Sequence, residues 1–263
     1  EPFTTCTLMG REFAVPARPE KLLEAMYGPS WRVPDPAFKF ETPPATVNRL
    51  NGWFRGSSAQ QIRWERALLK QPRRAPKGGP SGLARKVHAS AEPGTMVLDV
   101  GAGRARDSLW LARRGRPVTA YDFVPRGALG ALAAAERAGL PLDVRRLNLN
   151  DLRSVLGEGA RAARLERPRA ILARHAFDAV NEAGRDGLAR FATMALRGGG
   201  RLYADVWTGE GEGAFGVRPM AVEDLAALVE RHGGAVIEAD VLAPGAPGNK
   251  RNRAIGRLVA EWA

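Results

Sequence analysis

Residues 97–107 read V-L-D-V-G-A-G-R-A-R-D. A short run of aliphatic residues ends at two glycines one position apart, and a helix-forming stretch opens near Arg106. An apolar run of this length bounded by glycine predicts a strand buried on both faces. Glycines at 101 and 103 predict a turn whose backbone can pass close to a ligand without Cβ clashes. The helix that follows offers its free N–H groups to the same ligand.

The pattern repeats outward from this turn. Strands are predicted at Met96–Val100, Pro117–Asp122, Leu142–Asn148, Arg169–Arg174, Arg201–Trp207, Ala235–Leu242 and Ala254–Trp262. Helices are predicted between them at Arg106–Arg114, Pro125–Ala138, from Asp151, at Glu182–Leu196 and at Val222–Arg231. Proline in the first turn and glycine past the end mark several of these boundaries. Alternation of strand and helix predicts a doubly wound, mostly parallel sheet covered on both faces. The last two strands break the pattern. They are joined by a loop rich in Pro, Gly and basic residues (244–253) with no helix, so they must form a hairpin, and the seventh strand runs antiparallel to the others.

The front of the chain has a different texture. Residues 1–56 are rich in proline and aromatics with little periodicity and are read as an irregular segment, with one short helix at Glu20–Tyr27. Residues 57–95 are read as a helical lead-in and linker: a helix over 57–70 capped by Ser57 or Ser58, a loop over 71–80, and a helix over 81–91. A third part, 96–263, is the α/β domain. The 263 residues suffice for one large domain with a smaller piece, and 44% hydrophobic residues suffice for a core. No apolar run approaches the ~20 residues of a membrane span, and no secretory leader is visible. The single cysteine, Cys6, forms no internal disulfide and points to a reducing compartment, so the expected location is cytoplasmic. The net charge of +12 invites a nucleic-acid partner. However, only six of the 40 basic residues are lysine, and the arginines are scattered, with R-R pairs at 73–74, 113–114 and 145–146 as the densest runs. Compositional bias accounts for that pattern better than a dedicated binding face.

Ligands of open α/β sheets lie beyond the C-terminal strand ends, where strand order reverses. Asp122 ends the second predicted strand about 20 residues after the glycines, where a carboxylate can accept from both ribose hydroxyls of a nucleotide-like ligand. A dinucleotide site would want G-x-G-x-x-G, but the third position is Arg106. With the terminal hairpin, V-L-D-V-G-A-G resembles the first motif of class I S-adenosylmethionine-dependent methyltransferases, whose fold is a seven-stranded sheet with a reversed last strand. The resemblance covers residues 81–263. It implies S-adenosyl-L-methionine as cofactor, with Asp99, Gly101 and Gly103 around its methionine end and Asp122 on the ribose. It places Phe123 beside the adenine and Asn148 and Leu149 near the adenine edge. Ala105 stands where the family often has a third glycine. A finer resemblance, to bacterial methyltransferases with G-x-G-x-G-R-D-S and an arginine after the fourth strand, fits Arg106-Asp107-Ser108 and Arg174. It adds Ala102, Asp107 and Arg174 to the cofactor-binding set.

Methyl transfer is an in-line displacement that needs a base only where the acceptor is a hydroxyl or a similar group. R-A-I-L-A-R-H-A-F-D-A-V (169–180) matches the family's fourth motif, and its catalytic candidates are His175, Arg174 and Asp178. Each has a structural alternative: a strand-end histidine, an ion pair with Asp107, a helix N-cap. His88 and His232 read as helix residues, and no metal cluster is expected. In the front segment, Tyr27-Gly28-x-x-Trp31 followed by Val33-Pro34, with R-L-N-G-W-F-R-G at 49–56, resembles the closing segment of LicD/fukutin-type phosphotransferases. That resemblance implies an upstream phosphotransferase in the same chain. The combined expectation is O-methylation of a glycan or polyol-phosphate precursor in cell-envelope biosynthesis. The alternatives are an RNA methyltransferase and an inactive methyltransferase fold used as a docking domain.

Overall fold

The computed structural model describes residues 3–34, 64–66, 68, 74–209, 217–247, 249 and 253–263. The chain divides into two units, Glu1–Ser58 and Ala59–Ala263. In the first unit, strands β1 (Phe3–Leu8) and β2 (Arg11–Pro16) pair antiparallel, Leu8 opposite Arg11, and helix α1 (Pro19–Tyr27) follows. The hairpin corrects the expectation of an irregular segment. Met9 and Gly10 both have positive φ (51° and 74°), the geometry of a two-residue turn matched to strand twist. The strands carry β-branched and aromatic residues, but β1 is exposed along its whole length and β2 is exposed but for its end. There is therefore no buried face to impose a period-2 pattern on the sequence. The R-L-N-G-W-F-R-G stretch and most of the helix expected over 57–70 lie outside the described residues; 64–66 and 68 are helical.

The second unit opens with α2 (Gly82–Ser90), whose N-cap Ser81 accepts from the Ala84 N–H at 3.0 Å. Then follow β3 (Met96–Val100), α3 (Arg106–Ala112), β4 (Val118–Asp122), a 3₁₀ turn (Pro125–Ala128) leading into α4 (Leu129–Arg137), β5 (Leu142–Arg146) and α5 (Leu152–Ala163). The second half runs β6 (Arg169–Arg174), α6 (Glu182–Leu196), β7 (Gly200–Trp207), α7 (Val222–Arg231), β8 (Ala235–Leu242) and β9 (Ile255–Trp262). The sheet order is β5-β4-β3-β6-β7-β9-β8. Strands β3 to β7 pair in parallel, while β9 lies antiparallel between β7 and β8, as the helix-free connection requires.

Side chains alternate across the sheet and build two cores. Leu98, Val100, Ile171, Leu202 and Leu258 face α5, α6 and α7 through Val155, Leu188, Phe191 and Leu225. Val97, Val118, Ala120, Leu172 and Val259 face α2, α3 and α4 through Leu83, Leu109 and Ala131. Burial on both faces explains why these strands read as unbroken apolar runs. Strand order reverses between β3 and β6, and the candidate site lies above that point.

Candidate active site

The turn after β3 is held by the next strand. The N–H groups of Gly101 and Ala102 donate to the Tyr121 carbonyl at 2.9 and 3.1 Å. Gly101 and Gly103 have φ of 73° and 57°, and a Cβ on Gly101 would sit 3.1 Å from the Ala176 Cβ. Asp122, at the end of β4, accepts from the Gly103 N–H (2.8 Å) and the Val124 N–H (2.7 Å), one on each oxygen. Burial pushes its carboxyl up, against the downward pull of these two donors. Each oxygen keeps a second lone pair for a hydroxyl. Gly101, Gly103, Asp122, Phe123, Asn148 and Leu149 line one cavity. The chemistry of its lining suits a nucleoside-like ligand: small backbone on one side, an acceptor pair at the strand end, an aromatic beside it.

Four members of the expected cofactor set, Asp99, Ala102, Asp107 and Arg174, do not line this cavity. Asp99 is buried in β3, where its carboxylate accepts from the Ser108 hydroxyl. Ala102 spends its N–H on Tyr121. Asp107 is buried and accepts from the Ser81 N–H (2.8 Å) and from Arg174 Nε (3.0 Å). Arg174 itself lines a second cavity of about 310 Å³, with Gly82, Arg85, Arg106, Asp205 and Asn249 among its walls. Arg174 thus lies outside the lining of the glycine-walled pocket.

His175 lines both cavities. Its backbone takes φ of 59°, a costly conformation for a residue with a Cβ. Its N–H donates to the Asp205 carbonyl at 2.7 Å, and its ring stacks on Trp207 with centroids 4.3 Å apart and planes 15° from parallel. Nδ1 lies 3.1 Å from Asp178 Oδ2, which also accepts from the Trp207 N–H at 2.8 Å. A carboxylate facing Nδ1 keeps the proton there and leaves Nε2 basic. Asp178 is fully buried and lines neither cavity, so it acts on a reaction only through His175. Nor does it cap α6: that N-cap is Asn181, which accepts from the Gly184 N–H at 3.0 Å. His88 packs edge-on to Trp110 with Arg116 beside it, and His232 bonds Asp186 at 2.8 Å; both tie elements together.

The sequence reading missed several contributors. Trp64 and Leu68 line the glycine-walled cavity, and a Cβ on Gly103 would lie 3.7 Å from Leu68 Cδ2. Asn150 lines it too, with an amide oxygen that is buried and makes no hydrogen bond to the described residues. Helical periodicity around Trp64 and an asparagine two positions after Asn148 were the available signals. Trp207 and Asp205 are placed by β7, whose end the sequence marks only by a change from aliphatic to polar.

This topology, with its reversed last strand and a glycine turn facing a strand-end acid, is the class I methyltransferase fold. No protein-family model matches the chain, and no curated protein matches it. Solved structures do. The chain is similar to 1,6-didemethyltoxoflavin-N1-methyltransferase of Burkholderia thailandensis, solved with 1,6-didemethyltoxoflavin and S-adenosylhomocysteine bound: TM-score 0.51, 18% identity, 86% of this chain and 92% of that one. It is similar to the glycopeptide N-methyltransferase MtfA: TM-score 0.51, 17% identity, 70% of this chain and 96% of that one. It is similar also to the [4+2]-cyclase SpnF: TM-score 0.54, 17% identity, 77% of this chain and 94% of that one. At such identities the likeness is one of fold.

Proposed function

We propose that the chain is an S-adenosylmethionine-dependent methyltransferase that methylates a hydroxyl of a glycan or polyol-phosphate precursor in cell-envelope biosynthesis. The cyclase among its structural neighbours is a reminder that a fold does not dictate a reaction. The observation that carries the proposal is His175, held by Asp178 and Trp207 on the wall shared by the glycine-lined pocket and a second cavity. A 1,6-didemethyltoxoflavin N1-methyltransferase and a glycopeptide N-methyltransferase are among the neighbours, but an oriented histidine beside the second cavity suits an acceptor that must lose a proton.

S-adenosylmethionine, when bound, supplies a methyl group on a sulfonium sulfur. Gly101 and Gly103 let the backbone approach the methionine end, and Asp122 accepts from the ribose hydroxyls. Phe123 and Leu149 flank the adenine, with the amides of Asn148 and Asn150 at its edge. In the second cavity, His175 Nε2 takes the proton of the acceptor hydroxyl, and Asp178 stabilises the resulting imidazolium and fixes the ring. The cell-envelope context rests on the resemblance at Tyr27-Gly28-x-x-Trp31. There Gly28 ends α1 at φ of 83°, the Trp31 N–H donates to the Gly28 carbonyl at 3.1 Å, and the Arg32 guanidinium lies 4.1 Å from the Trp31 ring centre.

Calorimetric titration with S-adenosylmethionine tests the core of this proposal. Saturable 1:1 binding is expected, weakened about 100-fold or more in Asp122→Ala, since hydrogen bonds to a charged acceptor contribute about 1.5–3 kcal/mol each. His175→Ala is expected to lose about 100-fold or more in turnover while still binding S-adenosylmethionine. Absence of S-adenosylmethionine binding by the wild type overturns the proposal.

A further inference from the structure

Three guanidiniums, those of Arg85, Arg106 and Arg174, line the second cavity, and its lining carboxylate, Asp205, is already engaged. Arg257 is held by Asp205 in a fork of 2.8 and 2.9 Å. Arg174 gives Nε to Asp107 at 3.0 Å. Arg106 and Arg85 are left. Arg106 Nε is buried and makes no hydrogen bond to the described residues; its nearest carboxylate oxygen, on the already engaged Asp107, is 3.5 Å away. Arg85 has neither a hydrogen bond nor an ion pair among the described residues. Both line the cavity, beside Gly82 at the N-terminus of α2.

Three guanidiniums against one engaged carboxylate leave the cavity wall net positive, a field that favours an anionic occupant. Guanidinium forks match the oxygens of a phosphate in geometry as well as charge. Arg85, with no ion pair among the described residues, and Arg106, with only the 3.5 Å contact to a shared Asp107, together match a dianion, and a cavity of about 310 Å³ is at the small-molecule end of binding sites. We infer that this cavity holds a phosphomonoester carried by the small molecule that is methylated, with Arg85 and Arg106 as its ligands and Arg174 as a third contact fixed by Asp107. The inference rests on the methyltransferase reading in one respect: the hydroxyl presented to His175 belongs to the molecule whose phosphate the arginines hold. It makes Arg85 and Arg106 specificity-determining residues, roles that the motifs around them do not assign.

The test is calorimetric titration of the whole chain with inorganic phosphate, in parallel with S-adenosylmethionine. Saturable phosphate binding is expected, weakened tenfold or more in Arg85→Ala and in Arg106→Ala. It is expected unchanged in Arg113→Ala, which removes the same charge from an exposed position outside the cavity. Arg85→Lys is expected to keep only part of the affinity, because a point charge replaces a fork. Arg85 is itself exposed, so its variants are not expected to perturb folding. Phosphate binding that is absent, or equal in wild type, Arg85→Ala and Arg106→Ala, overturns the inference while leaving S-adenosylmethionine binding as it was found. Phosphate binding through these arginines without S-adenosylmethionine binding upholds the anion site and overturns the methyltransferase reading instead. A short single-stranded RNA that binds more tightly than phosphate through the same two arginines overturns the small-molecule assignment.

Discussion

Burial pushes the Asp99 carboxyl up to about 7, and the Asp107 charge adds to that rise, while the Ser108 hydroxyl and Arg174 pull the other way. A raised pKa means that the folded chain binds this proton more tightly than the unfolded one. Stability from Asp99 is therefore fully present in acid and is lost as pH rises through the window between the ordinary carboxylate value and about 7. The upper bound on that loss is about 4 kcal/mol, from about 1.4 kcal/mol per pH unit. Asp99→Asn removes the titration and keeps an acceptor for Ser108. Its Tm is expected to match the wild type near pH 4 and to exceed it by roughly 5 °C or more at pH 8–9. Parallel Tm curves for the two proteins across that range would show that Asp99 stays ionised throughout. The sequence placed this acid on a strand beside the ligand turn; that it lies under the turn, away from the cavity wall, depends on the direction of one side chain and on a serine nine residues away.

At the scale of elements, alternation of apolar and breaker residues carried nearly the whole sheet. Ends shifted by one or two residues, and the hairpin of β8 and β9 followed from the missing helix. What did not show in the sequence is which helical glycines are contacts. Gly157 in α5 and Gly187 in α6 look alike as letters. A Cβ on Gly157 would meet nothing within 4 Å, whereas one on Gly187 would lie 2.1 Å from the Leu149 carbonyl oxygen. Alanine is the better helix former by about 1 kcal/mol, so Gly157→Ala is expected to stabilise the chain by up to that amount. Gly187→Ala must instead push the Asn148–Asn150 loop, at a cost of about 1–3 kcal/mol. Because that loop lines the nucleoside pocket, Gly187→Ala is also expected to weaken S-adenosylmethionine binding about tenfold or more, read in the same titration, while Gly157→Ala leaves it unchanged. Equal effects of the two substitutions would mean that α6 yields instead of the loop.

Over the whole molecule, the +12 charge is the feature most open to misreading, because many arginines serve the backbone. Arg169 donates to the carbonyls of Ala163, Leu165 and Arg197, Arg116 to those of His88, Glu92 and Ala91, and Arg185 to those of Phe177 and Arg218. These carbonyls lie at helix ends and loops that lack partners of their own, so the charge is distributed as structural clamps. Composition reports the count of such residues but not their targets. The same view of the molecule separates its two units. No side chain among residues 3–34 is buried, whereas both cores are built from residues 83 onward. Hydrophobic burial is the main favourable term in folding, and a segment that buries no side chain adds little to it. A chain of residues 35–263 is therefore expected to unfold cooperatively with a Tm within about 3 °C of the full chain, which for a domain of this size corresponds to about 1 kcal/mol. Its affinity for S-adenosylmethionine is expected to be unchanged, since the pocket walls lie at 64 and beyond. Differential scanning calorimetry of the two proteins decides the point: a fall of 10 °C or more on removing residues 1–34 would assign the hairpin and α1 a part in the stability of the chain.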